Sequence, residues 1–459
     1  MIDKIYIITD LGPGDGGKGG VVHKVCNMTR AYTVIKTGGA QGSHGVRTSR
    51  GEKFNFSQWG CGTFDGVKTH LSNRIIVSPE GLLNEANALR FECGIHNPFD
   101  LLTLDSNAIC ATPYHGISSR LKEMALKNKP RGTIGTGIGE TFRYSQKHPE
   151  LIIRAGDLAS PSIKDRLVRI RIQIQNDLQN IISGYFFSED QSAVGEEVAL
   201  LFDDGFLEHV AKRFLEVSKL VKIVSPDYLA EVILKQEGTA VVESSHGILT
   251  DNVFGFYPHA SAIRTLPVFT HKMLREAGFP GRIVNIGVTR AYAIRHGAGP
   301  FPTDNPAMVK HLLPGSNKDN NRYQGKVRVG PLDFILLKYA IEVCGGCNTF
   351  DGLAITWFDQ IQANKAWHLC YNYQNPDQKF FTPNGAIKIW QGDSDKQQKY
   401  QEELGQQLLN CVPEITTKTF NGAERDELFA LCADTVSCEL GIPVRIVGFG
   451  PTESDKMCK

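Results

Sequence analysis

The sequence predicts an α/β fold: a large, mainly parallel central sheet flanked by helices. Three observations predict it. Short β-rich runs alternate with stretches of helical periodicity, the signature of strands buried under helices on both faces. A glycine-rich turn separates the first strand from the first helix, and a long run of helical periodicity interrupts the alternation near 164–235. In order, IYIITD opens the chain as a strand, LGPGDGGKGG turns it, and VVHKVCNMT begins a helix. TVIKT (33–37) and RIIVSP (74–79) read as strands, and PEGLLNEANALRFECG (79–94) carries apolar residues at helical spacing. KDRLVRIRIQIQNDLQNII, LEHVAKRFLEVSKLV and PDYLAEVILKQ form the helical insertion, whose Leu, Ile and Val stripe reads as packing. Strand signals return at TAVVES (239–244), IVNIGVT (283–289), GLAIT (352–356) and VRIVGFG (444–450). PLDFILLKYAIEVC (331–344) and AERDELFALCADTVSCEL (423–440) read as helices between them. No run rich in Gly, Ser or Pro divides the chain and no repeat is visible, so 1–459 reads as a single large domain.

Composition narrows the function classes. The 459 residues carry a formal charge of +1 with both signs mixed, so no basic block points to nucleic acid or a membrane surface. No apolar run approaches the roughly 20 residues that span a bilayer. The N-terminus shows no leader pattern. The eleven cysteines are irregularly spaced, and Cys344-Gly-Gly-Cys347 lacks the second pair of a zinc site. Reduced thiols in a cytoplasmic protein, with small-molecule partners, are the expectation.

Gly12-Pro-Gly-Asp-Gly-Gly-Lys18-Gly19 falls where backbone N–H groups and a helix N-terminus cradle phosphate. Glycine lets the backbone approach the anion, and Lys18 neutralises part of its charge. The spacing is that of GxxxxGK in P-loop NTPases, which predicts a core of that kind. Gly19, however, stands where those loops carry a Mg²⁺-binding Ser or Thr. Asp15 is the unusual residue: a carboxylate there binds a cation, acts as a base, or repels phosphate. A tight turn with a solvated Asp and Lys is the alternative.

Further segments resemble the adenylosuccinate synthetase family, in order from residue 8 to 452. GDGGKGG is similar to its GDEGKGK loop, and Gly38-Gly39-Ala-Gln-Gly-Ser-His44 to its GGxNAGH segment. Arg131–Gly139 resembles GTTGRGIG, with Ala-Gly-Asp-Leu following at 155–158. Glu243-Ser-Ser-His-Gly247 stands where the family has EGAQG, and Tyr257-Pro258 matches its YP. Thr289–Thr303 resembles KAYxTRVGxGPFPT. Gly330–Asp333, Thr356–Asp359 and Gly448–Pro451 resemble its C-terminal segments.

The resemblance implies a GTP-dependent ligase joining a 6-oxopurine nucleotide, IMP, to L-aspartate, with Mg²⁺ as cofactor and a homodimer as assembly. It makes Asp15 the base for the N1 proton and, with the Ser43 carbonyl, a Mg²⁺ ligand. His44 contacts the transferring phosphoryl group and O6, and Lys18 stabilises the phosphoryl oxygens. Gly14, Gly16, Gly17, Lys18, Gly19, Arg328, Thr356, Asp359, Gly448 and Gly450 would hold the triphosphate, Asp359 reading guanine. Gln41, Thr133, His246 and Ser261 would hold the acceptor nucleotide; Lys326 and Arg328 would hold aspartate.

Departures gather on the acceptor side. Thr133-Ile134 replaces a Thr-Thr pair, Thr136 an arginine, His246 a glutamine, Gln41 an asparagine and Lys326 an arginine, whose bidentate fork an ammonium lacks. Trp357 replaces the lysine of the guanine-binding segment. The arginine that reaches a neighbouring subunit's nucleotide has no counterpart in SQKHPELII (145–153). A guanine nucleotide acceptor, as in phage relatives making 2-aminoadenylosuccinate, therefore stays open, although that branch carries a small residue at the Asp15 position. ATP as donor and a catalytically retired nucleotide-binding homologue stay open as well.

Overall fold

The computed structural model describes residues 1–126, 131–186, 192–313, 325–422 and 424–459. Its centre is the strand Ile2–Asp10, in which Ile5, Ile7 and Ile8 are all buried. Consecutive rather than alternating apolar burial is what a strand covered on both faces requires. It pairs in parallel with Arg282–Arg290 on one side and Gly238–Ser244 on the other. The sheet runs Lys456–Cys458, Val444–Gly448, Gly352–Thr356, Arg282–Arg290, Ile2–Asp10, Gly238–Ser244, Thr33–Gly39, Lys68–Val77, Leu102–Asp105, Lys222–Val224. Ile109–Cys110 pairs beside Lys68–Val77. Among the described residues of this sheet, only Lys456–Cys458 joins its neighbour antiparallel. The fold is thus the mainly parallel α/β sheet that the sequence predicts.

The predicted strands all form, most of them longer than the sequence marked. The helix Pro79–Cys93 starts where Ser78 accepts from the Gly81 N–H and stops at Gly94, a left-handed cap. Phe334–Val343 begins three residues later than the sequence suggests, because Leu332–Asp333 pairs with Leu369–Cys370 and Asp333 caps the helix. Arg425–Leu440 falls inside the predicted 423–440, whose first residue lies outside the described residues.

The insertion holds the helices Ile163–Asp177, Gln179–Phe186, Ser192–Phe202 and Asp204–Leu220. Leu207, Val210, Phe214 and Val217 form the buried stripe of the last one. Its C-terminal part differs from expectation. Lys222–Val224 is a strand at the sheet edge, and PDYLAEVILKQ gives only a five-residue π-type turn, Leu229–Ile233. Leu229, Ile233 and Leu234 pack there against the central strands, and tertiary packing overrides the helical periodicity.

Outside the main sheet lie elements that the sequence reading did not mark. A hairpin pairs His44–Arg47 with Lys53–Phe56, and Ala366–Gln374 pairs antiparallel with Val412–Thr419. Ala293–His296 pairs with Val327–Gly330. Among the described residues, no helix is long and apolar enough to cross a membrane. All eleven cysteines are free thiols, and Cys344 and Cys347 join no cluster of metal-ligating side chains among the described residues.

Candidate active site

Asp10, Gly39, Ser244, Arg290, Thr356 and Gly448 are the last residues of their strands. Their common edge opens into a cleft of about 1920 Å³. Ligands gather at the carboxyl ends of parallel strands because the loops there are free to vary while the sheet stays rigid.

The glycine loop leaves the sheet at Asp10 and enters the helix Lys18–Thr29 through Gly17, at φ 90° with no side-chain cap. The first-turn N–H groups therefore remain open to an anion. Asp10, fully buried, organises the loop: its carboxylate accepts from Gly12 N and Gly16 N at 2.9 Å and from Lys18 Nζ at 3.0 Å. Lys18 also donates to the His246 carbonyl at 2.6 Å. The ammonium is thus fixed at the cleft wall. Removing either partner of such a buried ion pair costs about 3–5 kcal/mol. Gly19 departs from the Ser or Thr of ordinary loops for a steric reason. A Cβ there would lie 2.6 Å from the Gly45 carbonyl, because the hairpin carrying His44 packs against the helix start.

His44 reaches the cleft from that hairpin, and its Nδ1 lies 2.5 Å from Glu243 Oε1. Glu243 is wholly buried and also accepts from Lys36 Nζ at 2.7 Å and Cys61 N at 2.9 Å, with the Cys61 thiol at 3.3 Å. Burial pushes the Glu243 carboxyl up, but Lys36 and then His44 more than offset this and hold it well below the usual range. As an acceptor only, the carboxylate places the proton of a neutral His44 on Nδ1 and orients the ring. Burial lowers the His44 pKa despite that bond. His44, Cys61 and Glu243 bring potential metal ligands together, yet Lys36 occupies the same Glu243 oxygen; they are donors around an anion.

His246, at φ 65°, pairs its Nε2 with the Gln41 side-chain amide. Burial, then the Lys18 and His44 charges, push it down to about 4, so it is a neutral imidazole at physiological pH. Thr133 and Ser261 line the same cleft, Thr133 sharing a 3.2 Å contact with Ser119. Across the loop, Thr356 Oγ1 donates to the Gly16 carbonyl at 2.7 Å. Asp359, raised by burial, accepts from Gln360, and Gly448 and Gly450 line the cleft nearby. Asp15 enters from the loop at φ 58°, with a carboxylate oxygen 4.0 Å from His296 Nδ1. Asp15 and Ser43 line one wall and offer a carboxylate and a backbone carbonyl, the hard oxygens Mg²⁺ takes.

The structure therefore brings Asp15, Lys18, His44, Gln41, Ser43, Thr133, His246, Ser261, Thr356 and Asp359 into one cleft, together with Gly14, Gly16, Gly17, Gly19, Gly448 and Gly450. It does not bring Lys326 or Arg328 to the cleft lining. Lys326 is exposed, and Arg328 is committed to the Gly297 and Gly299 carbonyls and to Asp304 at 3.2 Å. Arg295 and His296 line the cleft on the paired strand instead. Arg295 is buried and pushed down to about 9 by desolvation and by Arg328. Sequence reasoning also passed over Asp10, Glu243, Arg290 and Lys456. Lys456 is a cleft-lining ammonium that burial lowers to about 8.

Comparison with known proteins agrees with this architecture. The family model described as adenylosuccinate synthetase matches residues 7–457. The adenylosuccinate synthetase of Shewanella loihica is 26% identical over 454 residues, covering 97% of this chain and 96% of its own. That of Thermoplasma volcanium is 26% identical, covering 81% and 79%. Among solved structures, the fully ligated adenylosuccinate synthetase of Plasmodium falciparum superposes with a TM-score of 0.74 at 20% identity, covering 99% of each chain. The succinoaminodeoxyadenylate synthetase of cyanophage S-2L, bound to dGMP and to dATP as an energy donor, gives 0.55 at 14% identity, covering 100% of this chain and 96% of its own. The chain belongs to the adenylosuccinate synthetase family, ligases that form carbon–nitrogen bonds.

Proposed function

We propose that this chain condenses IMP with L-aspartate at the expense of GTP, giving adenylosuccinate for purine nucleotide synthesis. The observation that carries the proposal is the convergence of Asp15, Lys18 and a carboxylate-oriented His44 on one cleft wall. An amide-like oxygen leaves carbon poorly, so O6 must be activated first. Asp15 takes the N1 proton, O6 attacks the γ-phosphorus and GDP departs. The aspartate amine then attacks C6, inorganic phosphate leaves with O6, and the amine loses a proton. Lys18 and the loop N–H groups offset charge on the phosphoryl oxygens, and His44 faces the same group. Asp15 and the Ser43 carbonyl would hold Mg²⁺, which supplies further charge neutralisation on the triphosphate. A carboxylate of reference pKa about 4 is a weak base, so fixed geometry has to compensate.

Thr133, Ser261, Gln41 and His246 serve the acceptor nucleotide, and Asp359 with Thr356, Gly448 and Gly450 the donor. Arg328 and Lys326 would hold aspartate once their strand is drawn towards the cleft. A homodimer in the cytoplasm completes the reading. The replacement of a glutamine by His246 beside the acceptor favours a second reading, with GMP or dGMP as acceptor and 2-aminoadenylosuccinate as product. Phosphate release by purified protein with Mg²⁺, aspartate, GTP or ATP, and IMP, GMP or dGMP tests both. Release with IMP alone supports the first and release with guanine nucleotides the second. Binding without release in every combination would mean a retired enzyme and sink both.

A further inference from the structure

Six described non-glycine residues have positive φ: Asp15, Arg30, His246, Trp357, Lys365 and Asn375. Arg30 and Lys365 close helices, an ordinary left-handed cap, and asparagine tolerates the conformation well. Asp15 (58°), His246 (65°) and Trp357 (61°) close no helix, and all three line the cleft; Trp357 is the residue type least suited to the conformation. Strain of this kind persists only where neighbouring groups over-determine the backbone. One side chain touches two of the three. Arg290 donates from Nε to the Asp15 carbonyl at 2.6 Å, and its guanidinium lies 4.3 Å from the Trp357 ring centroid.

Arg290 is itself buried, 3% exposed, and no carboxylate pairs with it among the described residues. Its Nη1 donates to the Tyr292 hydroxyl at 2.8 Å, which donates to the Leu312 carbonyl at 2.8 Å. Two hydrogen bonds and the Trp357 ring restrain the guanidinium. Burying a guanidinium is costly unless its donors are used, and two of them are spent on these contacts. Trp357 opens the helix Phe358–Asn364, which carries Asp359 at the donor end of the cleft. Asp15 stands at the acceptor end of the proposed reaction.

We propose that Arg290 is a positioning residue that holds Asp15 in its left-handed conformation and is held in turn by Trp357. The donor end of the cleft thereby sets the geometry of the group that abstracts the proton. The proposal rests on the reading of Asp15 as that group. Lysine cannot replace Arg290, because an ammonium has neither the stacking plane nor two donors in fixed directions.

Steady-state kinetics of Arg290→Ala, Arg290→Lys, Trp357→Ala and Trp357→Phe in the full chain test it. Both Arg290 variants are expected to lower kcat roughly 30- to 100-fold while KM for each nucleotide stays within about threefold, the mark of lost alignment. Trp357→Ala should lower kcat more than Trp357→Phe, which keeps an aromatic face. If Arg290→Ala does not fold, Arg290→Lys retains the buried cation and decides alone. Near-normal kcat in Arg290→Lys, or an effect confined to KM, would overturn the proposal. Asp15→Ala separates it from the reading beneath: normal turnover there defeats Asp15 as base, whereas a dead Asp15→Ala beside a normal Arg290→Lys defeats only the positioning role.

Discussion

The ring of His44 is aimed by a residue 199 positions away, and Lys18 is tied to a carbonyl 228 positions away. Neither link leaves a local pattern, which is why Glu243 escapes a reading based on spacing. The residues that touch substrate in the proposed reaction are legible because they sit in glycine loops and short polar segments that resemble the family's. The residues that orient them are legible only in three dimensions. Arg290, 275 positions from Asp15, belongs to the same class. His246 shows what the fold adds. Kept neutral by burial, it presents one ring nitrogen to Gln41, and in the proposed reaction it serves the acceptor. His246→Gln should change KM for the acceptor nucleotide by roughly tenfold and leave KM for the triphosphate within about twofold, since the exchange alters the shape and reach of a hydrogen-bonding group at one end of the cleft only. Equal changes in both constants would show that His246 supports the loop through its carbonyl bond to Lys18 instead.

At the scale of elements, the parallel strands and their helices are legible from apolar runs and caps. The hairpin His44–Arg47/Lys53–Phe56 is not, because its strands are four residues each and alternate with exposed side chains. That hairpin governs the glycine loop. It fills the space above Gly19, and Ser49 at its turn donates its N–H to Glu453 at 3.1 Å, joining it to the C-terminal loop. Gly17 is equally constrained: at φ 90°, a Cβ would lie 2.8 Å from Thr356 Oγ1. Gly19→Ala is therefore expected to displace His44 and lower turnover by at least about 100-fold, with a loss of stability of about 1–3 kcal/mol from overpacking. Denaturant unfolding and turnover of that variant check the two effects separately; wild-type values in both would refute the packing account. Lys326 and Arg328 illustrate the opposite case. Their motif is legible, but Arg328 spends its fork on the Gly297 and Gly299 carbonyls, and sequence cannot report which partners a guanidinium has chosen.

For the whole molecule, burial sets the response to pH. His70, His115 and His246 are each pushed down to about 4 by desolvation, from an unfolded value near 6.5. Unfolding between pH 4 and 6.5 therefore takes up protons at these sites, and stability falls as pH falls through that window. Glu85 and Asp333, raised by burial to about 7 and about 6, act in the opposite sense, because their folded forms hold protons that the unfolded chain releases. Asp105 and Asp359 are raised as well, while His23, His44 and His259 are lowered, and the six histidines are expected to outweigh the four carboxyls. The thermal midpoint is expected to be lower at pH 5 than at pH 7; a higher midpoint at pH 5 would show that the acidic groups dominate. The carboxyl ends of the parallel strands open on one cleft, and the family model over residues 7–457 places the chain among carbon–nitrogen ligases. The central claim is that oxygen O6 is phosphorylated and leaves as phosphate. It is tested most directly by labelling O6 of the accepted purine nucleotide with ¹⁸O and analysing the phosphate released in the presence of aspartate. The account predicts one ¹⁸O in each inorganic phosphate formed; unlabelled phosphate accompanying amination would contradict it.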